Sequence, residues 1–379
     1  MSSKIPVVYL IDKLHRAGAQ NNLRQLAAGL DRSQFDVQVC TLIRGGPMAD
    51  WLREQDIPVT VLGAEPIYHP RSRPGFRQLV NLLREQKVQI LHTYLASSNI
   101  FGTFAALKAK TPLIYTARRD TGFSRNWRLG LVEEWLVNPK VTRTIAVSEA
   151  AAIAARDERG LNADRVSTIL NGIELDRWTA DRTERDDYCR RLAIDPANKN
   201  VALVANYNPI KGHREFLEAI AMVVKERPDT HFFLVGEGPL RDDLESQLKN
   251  LDIVANVELT GSREDLPEFL AAMDIAVLAS HTEGMSNALM EYMASSLPSV
   301  VTDVGGNPEL ISHERTGLLV QPSDPNAMAQ ALLRLLTNHN LAKSLGEQAR
   351  HFVETEMSVG KMVQRHQDLY ISDLNRLAD

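Results

Sequence analysis

The sequence has few cysteines and no long apolar run. Cys40 and Cys189 are the two cysteines among 379 residues, too few for a disulfide framework or a cysteine zinc site, so both are expected to be small buried apolar side chains. No stretch reaches the roughly 18 to 20 uncharged apolar residues of a membrane span. The opening residues MSSKIPVVYLID lack the apolar region and cleavage site of a signal peptide. We therefore expect a cytoplasmic protein.

Several well-known site motifs are also missing. The first predicted strand leads into DKLHRAGAQNNLRQLA, which has no G-x-G-x-x-G fingerprint, and the chain has no G-x-x-x-x-G-K-[ST], H-E-x-x-H or G-x-S-x-G sequence. An Asp-x-Asp pair for a divalent metal is absent as well. We expect no metal, no bound cofactor and no nucleic-acid partner, so a phosphorylated ligand would have to be met by backbone dipoles and cationic side chains.

Charge is unevenly divided along the chain. The net charge is −5, but residues 1–180 hold 24 lysines and arginines against 17 aspartates and glutamates, a balance of +7, and the remainder has a balance of −12. Such asymmetry is consistent either with an ordinary mixed surface or with a basic half that meets an anionic partner.

Short β-branched runs alternate with amphipathic segments, the pattern of parallel sheets covered by helices. The first half predicts seven strands, from VVYLI to VSTILNG, and the alternation restarts with six more, from VALVA to GLLV. The length also favours two domains. We predict two Rossmann-like sheets facing each other across a cleft, with domains at 1–180 and 181–355 and a last helix at 356–379. The charged stretch 179–198 is the predicted junction.

One loop of the second half has the features of an anion site. Glu283 follows the strand DIAVLAS, a Gly-containing turn comes next, and a helix then begins at a Ser286 or Asn287 N-cap. Ligands of parallel α/β sheets bind at the carboxyl ends of strands, where helix N-termini favour negative charge. The predicted nucleotide-binding residues of this loop are Gly284, Met285, Ser286, Asn287 and Ala288.

Glu291 and Lys211 extend this prediction. Glu291 lies about one turn inside the helix, so its carboxylate can approach the same loop and accept hydrogen bonds from vicinal hydroxyls such as those of ribose. Lys211 lies between a strand and a helix and could neutralise a diphosphate, although a lone lysine is more often a solvated surface residue. The glycines at 236, 305 and 306 could line the same edge or form plain turns.

The sequence resembles the retaining glycosyltransferases of family 4, which have the GT-B fold. The resemblance is carried by PIKGHREFLEAI, FFLVGEGPLRDDLE, the long segment from VELTGSREDL to VGGNPELI, and GLLVQPSDPNAMAQAL, with weaker similarity in RAGAQNNLRQLA and TILNGIELDRW. It implies that the last helix crosses back onto the first domain. It also implies that Glu283 contacts the transferred sugar, Glu291 the ribose and Lys211 the diphosphate. By the same resemblance, the amides of Asn287 and Ala288 hold the distal phosphate, Arg263 shapes the base pocket and the Gly18 backbone approaches the phosphates.

The sequence departs from the family pattern at three places. Asn206 stands where many members have an arginine five residues before the lysine, so one cation is missing. The first loop reads Ala17, Gly18, Ala19, Gln20 in place of Gly-Gly-x-Glu. Arg118 stands where a histidine often lies near the sugar, and because arginine is permanently charged it is predicted to bind acceptor or phosphate.

The candidate acceptor-binding segment is TARRDTGFSRNWRLGLVEEWLV. It combines basic and apolar side chains, namely Arg118, Arg119, Arg125 and Arg128 with Phe123, Trp127, Leu129 and Leu131. Such a segment suits a lipid-phosphate acceptor or an anionic membrane surface, or it is an amphipathic helix with its aromatic residues packed inward.

We predict a metal-independent, retaining glycosyltransferase that moves a sugar from a nucleoside-diphosphate sugar to a saccharide or lipid-linked acceptor in polysaccharide, lipopolysaccharide or glycolipid assembly. Its predicted catalytic residues are Glu283, Lys211 and Arg118, and the protein would be cytoplasmic or peripheral at the inner face of the membrane. Two alternatives remain. One is nucleotide-sugar epimerisation or hydrolysis on the same fold, and the other is a non-catalytic nucleotide-sugar-binding partner subunit.

Overall fold

The computed structural model describes residues 4–15, 17–43, 45–121, 127–158, 160–178 and 182–378. The chain divides into two compact units. The first contains the residues up to Gly172 together with those from Val359 onward, and the second is Ile173–Ser358. The change from the first unit to the second thus falls before the charged stretch 179–198.

Each unit is built on one parallel sheet. The strands of the first are β1 (Ile5–Ile11), β2 (Phe35–Thr41), β3 (Val59–Val61), β4 (Ile90–Tyr94), β5 (Leu113–Arg118), β6 (Arg143–Ala146) and β7 (Val166–Thr168). Those of the second are β8 (Lys199–Val204), β9 (Thr230–Val235), β10 (Val257–Gly261), β11 (Ile275–Leu278), β12 (Ser299–Thr302) and β13 (Leu318–Val320). All thirteen match the strands predicted from the sequence.

Helices alternate with these strands. In chain order they are α1 (Gly18–Gly29), α2 (Pro47–Glu54), α3 (Arg73–Glu85), α4 (Ala96–Ala109), α5 (Trp127–Val132), α6 (Glu149–Arg156), α7 (Arg185–Arg191), α8 (His213–Glu226), α9 (Arg241–Asn250), α10 (Leu266–Ala271), α11 (Asn287–Ala294), α12 (Asn307–Leu310), α13 (Pro325–Thr337), α14 (His339–Glu356) and α15 (Val359–Ala378). A π-helical turn, Glu133–Val137, continues α5.

The strand order explains where ligands can bind. It is β3-β2-β1-β4-β5-β6-β7 in the first sheet and β10-β9-β8-β11-β12-β13 in the second, and every pairing among the described strands is parallel. Both sheets therefore have the doubly wound order, which reverses between β1 and β4 and between β8 and β11. Loops at such a reversal separate and leave a crevice at the carboxyl ends of the strands.

The burial of the strands agrees with a parallel sheet that helices cover on both faces. Residues 7–11 of β1 and all of β4, β11 and β12 are buried, as expected for parallel strands covered by helices on both faces. Apolar side chains of each sheet and its helices form a core within each unit. The fold class predicted from the alternation of strand and helix patterns is confirmed.

The last helix, α15, belongs to the first unit and is fixed by buried polar contacts. Tyr370 places its hydroxyl 2.7 Å from His92 Nδ1. Asp373 accepts hydrogen bonds from the Tyr115 hydroxyl at 2.9 Å and from the Arg143 guanidinium at 3.0 Å. Burying these groups without partners would be costly, so the network fixes the position of the helix on the sheet.

Candidate functional site

Lys211 and Glu283 meet at the carboxyl edge of the second sheet. Lys211 ends a short 3-10 turn in the loop after β8, and Glu283 lies in the loop after β11. These strands are neighbours at the point where the strand order reverses, so both loops open at the same place. The distance from Lys211 Nζ to Glu283 Oε1 is 2.7 Å. The two predicted residues therefore form one charged pair.

The Glu283 carboxylate is held through one of its two oxygens. Ser280 donates from its hydroxyl to Glu283 Oε1 at 2.7 Å, the same oxygen that contacts Lys211. Glu283 is only 9% exposed. Within the described residues, its Oε2 accepts no hydrogen bond. One oxygen is thus fixed in place, and the other can accept a hydrogen bond from a ligand hydroxyl.

Two glycines allow the loops at this edge to approach closely. Gly212 has φ +65°, and a Cβ there would lie 1.9 Å from the carbonyl oxygen of Ala279. Gly305 has φ +52°, and its Cβ would lie 1.8 Å from the carbonyl oxygen of Glu283. Both the left-handed conformation and the close backbone contact require glycine. At Gly212, protein backbone occupies the space that a side chain would need.

The N-terminus of α11 completes this side of the edge. Ser286 is its N-cap residue, and the Ser286 hydroxyl accepts a hydrogen bond from the Leu289 amide at 3.2 Å. Gly284, Met285 and Ser286 are buried, whereas Asn287 and Ala288 are half-buried. Amides in the first turn of a helix have no carbonyl partner within that helix and carry partial positive charge. The arrangement favours an anion.

Glu291 lies one turn inside α11 and is half-buried. Burial raises the pKa of its carboxyl from 4.5 to about 7, and the positive charge of Arg177 partly opposes this effect. The next residue, Tyr292, accepts a hydrogen bond at its hydroxyl from the Val204 amide at 2.7 Å. This bond ties α11 to the end of β8, so Glu291 is carried on a helix that is anchored to the sheet.

Arg263 lies in the loop after β10, and Asn206 lies in the same loop as Lys211, after β8. The Arg263 guanidinium forms two hydrogen bonds to the Asp265 carboxylate, at 2.9 and 2.6 Å, and lies over the Phe269 ring at 4.5 Å. Its plane is therefore fixed, and its charge is met by Asp265. Asn206 is exposed, and it supplies no cation to the Lys211 loop.

Gly18 and Arg118 lie in the first unit. Gly18 is the first residue of α1, a helix whose N-terminus has no side-chain cap. Arg118 ends β5, and its guanidinium forms an ion pair with Glu158 at 2.7 Å and donates to the carbonyl oxygen of Asp120 at 3.0 Å. The side chain of Arg118 is 11% exposed. Its charge is thus already compensated by Glu158, which the sequence did not indicate.

The basic and aromatic segment presents apolar side chains to solvent. Leu131, Trp135 and Leu136 are 46%, 56% and 50% exposed, so the interpretation of a helix with all its aromatic residues packed inward does not hold for its second half. Phe123 and Arg125, which belong to the same prediction, lie outside the described residues.

Sequence reasoning missed two residues that position the site, Ser280 and Tyr292. A small polar residue shortly after a buried strand, such as Ser280 after β11, is a weak signal, and Tyr292 looks like an ordinary core residue of a helix. Both act through contacts between segments distant in the chain. In the described ranges, no group of three or more His, Cys, Asp or Glu side chains could hold a metal ion. None of the described helices is both long and apolar enough to cross a bilayer.

Two family models match the chain. Residues 16–177 match the model described as Glycosyltransferase Family 4, and residues 198–338 match the model described as Glycosyl transferases group 1.

Curated relatives and solved structures agree with this assignment. The chain is 31% identical over 80% of each chain to an N-acetyl-alpha-D-glucosaminyl L-malate synthase of Bacillus anthracis. It is 26% identical over 97% of each chain to a UDP-Gal:alpha-D-GlcNAc-diphosphoundecaprenol alpha-1,3-galactosyltransferase of Escherichia coli. The crystal structure of HepE from Anabaena, in complex with UDP and glucose, superposes with a TM-score of 0.87 at 20% identity, over 97% of this chain and 100% of HepE. The chain therefore belongs to the family 4 glycosyltransferases and has the GT-B fold.

Proposed function

We propose that this glycosyltransferase moves a sugar from a nucleoside-diphosphate sugar to a hydroxyl group of its acceptor, with retention at the anomeric carbon and without a metal. The observation that carries the proposal is the Lys211–Glu283 pair, fixed by Ser280 at the reversal of the second sheet and next to the N-terminus of α11. The relatives support this class of reaction, since one is a UDP-galactose-dependent transferase and HepE binds UDP and glucose. Retention follows from the family resemblance.

Each group of the site suits one part of such a donor. The Oε2 atom of Glu283 can accept a hydroxyl of the transferred sugar, while Lys211 and the first amides of α11 stabilise the diphosphate. The ionised carboxylate of Glu291 can accept hydrogen bonds from the two ribose hydroxyls. Arg263, held flat by Asp265 and Phe269, presents a fixed planar surface at the base pocket. In this proposal the Gly18 backbone approaches the phosphates.

The reaction needs stabilisation of negative charge more than it needs a strong base. The bond between the anomeric carbon and the diphosphate oxygen breaks with its electron pair going to the diphosphate. The acceptor oxygen then bonds to the carbon on the same face, and its proton passes to the leaving diphosphate oxygen. A preorganised cation and helix dipole lower the energy of this charge separation. Asn206 contributes no charge, so Lys211 is the cation of this loop.

A single substitution tests the assignment. Glu283→Gln removes the carboxylate charge but preserves the shape of the side chain, so we expect transfer from UDP-sugars to fall by at least about a hundredfold while UDP affinity changes little. The matched control is Glu218→Gln, an exposed glutamate on α8. Near-normal transfer by the Glu283 variant would overturn the proposed role.

The alternatives named from the sequence can be separated by the same protein. Incubation with a UDP-sugar and no acceptor would release an epimer or free sugar at the full rate if the chain were an epimerase or a hydrolase. Donor turnover that requires acceptor excludes both, as well as a non-catalytic binding subunit. The curated relatives described above are transferases or synthases by name and lend these alternatives no support.

We also propose that the acceptor is a saccharide or a lipid-linked molecule and that the protein binds it at the cytoplasmic face of a membrane. The Escherichia coli relative is named for GlcNAc-diphosphoundecaprenol, a lipid-linked sugar that carries an anionic diphosphate. In this chain, Leu131, Trp135 and Leu136 are exposed. Tryptophan and leucine side chains on an exposed surface suit the interfacial region of a bilayer.

The helices next to this segment carry positively charged side chains. α4 packs between α3 and the segment formed by α5 and its π-helical turn. A groove between α3 and α4 is flanked by Arg73, Arg77 and Lys108, with Phe104 38% exposed beside them. Cations next to exposed apolar side chains favour anionic lipids over zwitterionic ones.

Vesicle binding tests this part of the proposal. We expect the protein to co-sediment with phosphatidylglycerol vesicles and less with phosphatidylcholine vesicles. Leu136→Ser should reduce binding, whereas Val254→Ser, at a residue of similar exposure in the second unit, should not. Equal binding to both lipids, or equal effects of both substitutions, would contradict a membrane surface at α5.

A further inference from the structure

Arg119 is a half-buried arginine at the carboxyl edge of the first sheet. It follows β5 directly, and its guanidinium donates hydrogen bonds to Asn22 Oδ1 at 2.9 Å and to Asn171 Oδ1 at 3.0 Å. The centre of the Tyr94 ring lies 5.7 Å from its central carbon. All four residues belong to the first unit. The cation is therefore held in a defined orientation by uncharged groups.

Its environment differs from that of the neighbouring arginines. Arg118 pairs with Glu158 at 2.7 Å, and Arg143 pairs with Asp373 at 3.0 Å. Among the described residues, no carboxylate lies within ion-pair distance of Arg119. Two amide oxygens and one aromatic face do not balance a full positive charge.

The surrounding titratable groups do not supply the missing charge. Burial lowers the pKa values of His92 and His366, and the positive charge of Arg119 lowers both further, so both rings are neutral at pH 7. Burial raises the pKa of the Tyr94 hydroxyl, which also stays neutral. The site keeps a net positive charge.

A partly buried charge without a counter-charge lowers the stability of a folded protein, because desolvation is not repaid by an opposite charge. Proteins keep such arrangements at functional sites, where a ligand supplies the opposite charge. Arg119 lies at the carboxyl edge of the first sheet, where a ligand can supply this charge. Asn22, one of its partners, belongs to α1, whose N-terminus has neither a side-chain cap nor an acidic residue in its first turn.

We propose that Arg119 binds an oxyanion of a substrate, a phosphate or carboxylate group, and is a specificity-determining residue of the transfer reaction. The inference rests on the proposed function for the identity of the substrates. Two sources of the oxyanion fit the same chemistry. One is the diphosphate of the donor, because Asn206 stands where many members of the family have a second cation. The other is an acidic acceptor.

Calorimetric titration of the full chain separates these sources. Arg119→Gln and Arg119→Lys are compared with Arg24→Gln as the matched control, because Arg24 is likewise held by an asparagine oxygen and lies over an aromatic ring, that of Trp51. The probes are UDP, uridine, and inorganic phosphate added to the UDP-saturated protein. A lost charge-assisted hydrogen bond corresponds to roughly ten- to hundredfold in affinity.

Each outcome decides the proposal. If the oxyanion is the donor diphosphate, Arg119→Gln weakens UDP binding by about tenfold or more and leaves the affinity for uridine unchanged. If it belongs to the acceptor, UDP affinity is retained and phosphate binding to the UDP-bound protein is lost. Arg119→Lys should retain part of the affinity, because lysine keeps the positive charge but cannot donate the two parallel hydrogen bonds of a guanidinium. Unchanged affinities in both variants would overturn the proposal.

Thermal unfolding distinguishes binding from a purely structural role. Since Arg119 carries an uncompensated charge, Arg119→Gln should unfold at the same temperature as the wild type or higher. A large decrease with unchanged affinities would assign Arg119 to structure and overturn the proposal. A wild-type protein that binds phosphate through Arg119 but does not bind UDP would instead contradict the proposed function and leave this site standing.

Discussion

Glu291 allows the sharpest test of the donor site, because its expected role conflicts with its environment. Burial holds the pKa of its carboxyl at about 7 rather than 4.5, whereas ribose binding needs the ionised form. Glu291→Gln removes the charge at every pH. If only the ionised form binds ribose, the affinity of the wild type for UDP should increase roughly tenfold from pH 6 to pH 8, and the affinity of Glu291→Gln should be lower at pH 8.

The same pKa predicts the effect on stability. Between pH 4.5 and about 7 the unfolded chain has lost the proton that the folded chain still holds, so the free energy of unfolding decreases as pH rises through this range. The full shift corresponds to about 3 kcal/mol. Glu291→Gln avoids this loss, so it should match the wild type near pH 4 and exceed its stability by up to about 3 kcal/mol at pH 8.

Two measurements over the same pH range check the reasoning. Isothermal titration with UDP gives the affinity, and the Glu291→Gln profile corrects for titration of the nucleotide phosphate itself. Urea unfolding gives stability, and Glu218→Gln controls for removing an exposed glutamate. Parallel affinity profiles for wild type and Glu291→Gln, or a variant that is less stable than the wild type at pH 8, would refute the role of Glu291 as a half-buried, ribose-binding carboxylate.

Three further predictions concern the same two units. Lys211→Gln should lower UDP affinity by about tenfold and transfer by more, measured by titration and by product formation. Gly305→Ala places a Cβ 1.8 Å from the Glu283 carbonyl oxygen and should destabilise the protein in urea by more than about 2 kcal/mol, whereas Gly63→Ala, also at positive φ but with no atom within 4 Å, should cost only about 1 kcal/mol. Asp373→Asn should cost about 3 kcal/mol in the same assay, because it leaves the half-buried guanidinium of Arg143 without its carboxylate; a change under about 1 kcal/mol would show that the pair is not a stabilising contact.

The fold could be predicted from the sequence because each strand and helix has its own pattern of residues within a short stretch of the chain. Residues 7–11 of β1 and all of β11 are buried and read as continuous apolar runs, and each run lies next to an amphipathic segment. The loops that carry Lys211 and Glu283 follow such strands directly, so their positions at the carboxyl edge could be deduced from chain order alone.

The parts that the sequence did not reveal depend on contacts between distant segments. Arg118 was predicted to be available to a substrate, but Glu158, forty residues along the chain, pairs with it. The burial that shifts the pKa of Glu291 follows from the placement of α11, which the bond from Val204 to Tyr292 fixes. Neither pairing leaves a local pattern of residue types, because any of many charged or aromatic residues could have made it.

The position of α15 has a consequence for the order of events during synthesis. The second unit is a single continuous stretch, Ile173–Ser358, whereas the first needs both the residues up to Gly172 and the helix that begins at Val359. A ribosome releases the chain from its N-terminus, so the second unit can fold as soon as its own residues emerge. Until α15 arrives, Tyr115 and Arg143 lack the carboxylate that they share in the native state. The unit encoded first is therefore expected to be the last to reach its final stability.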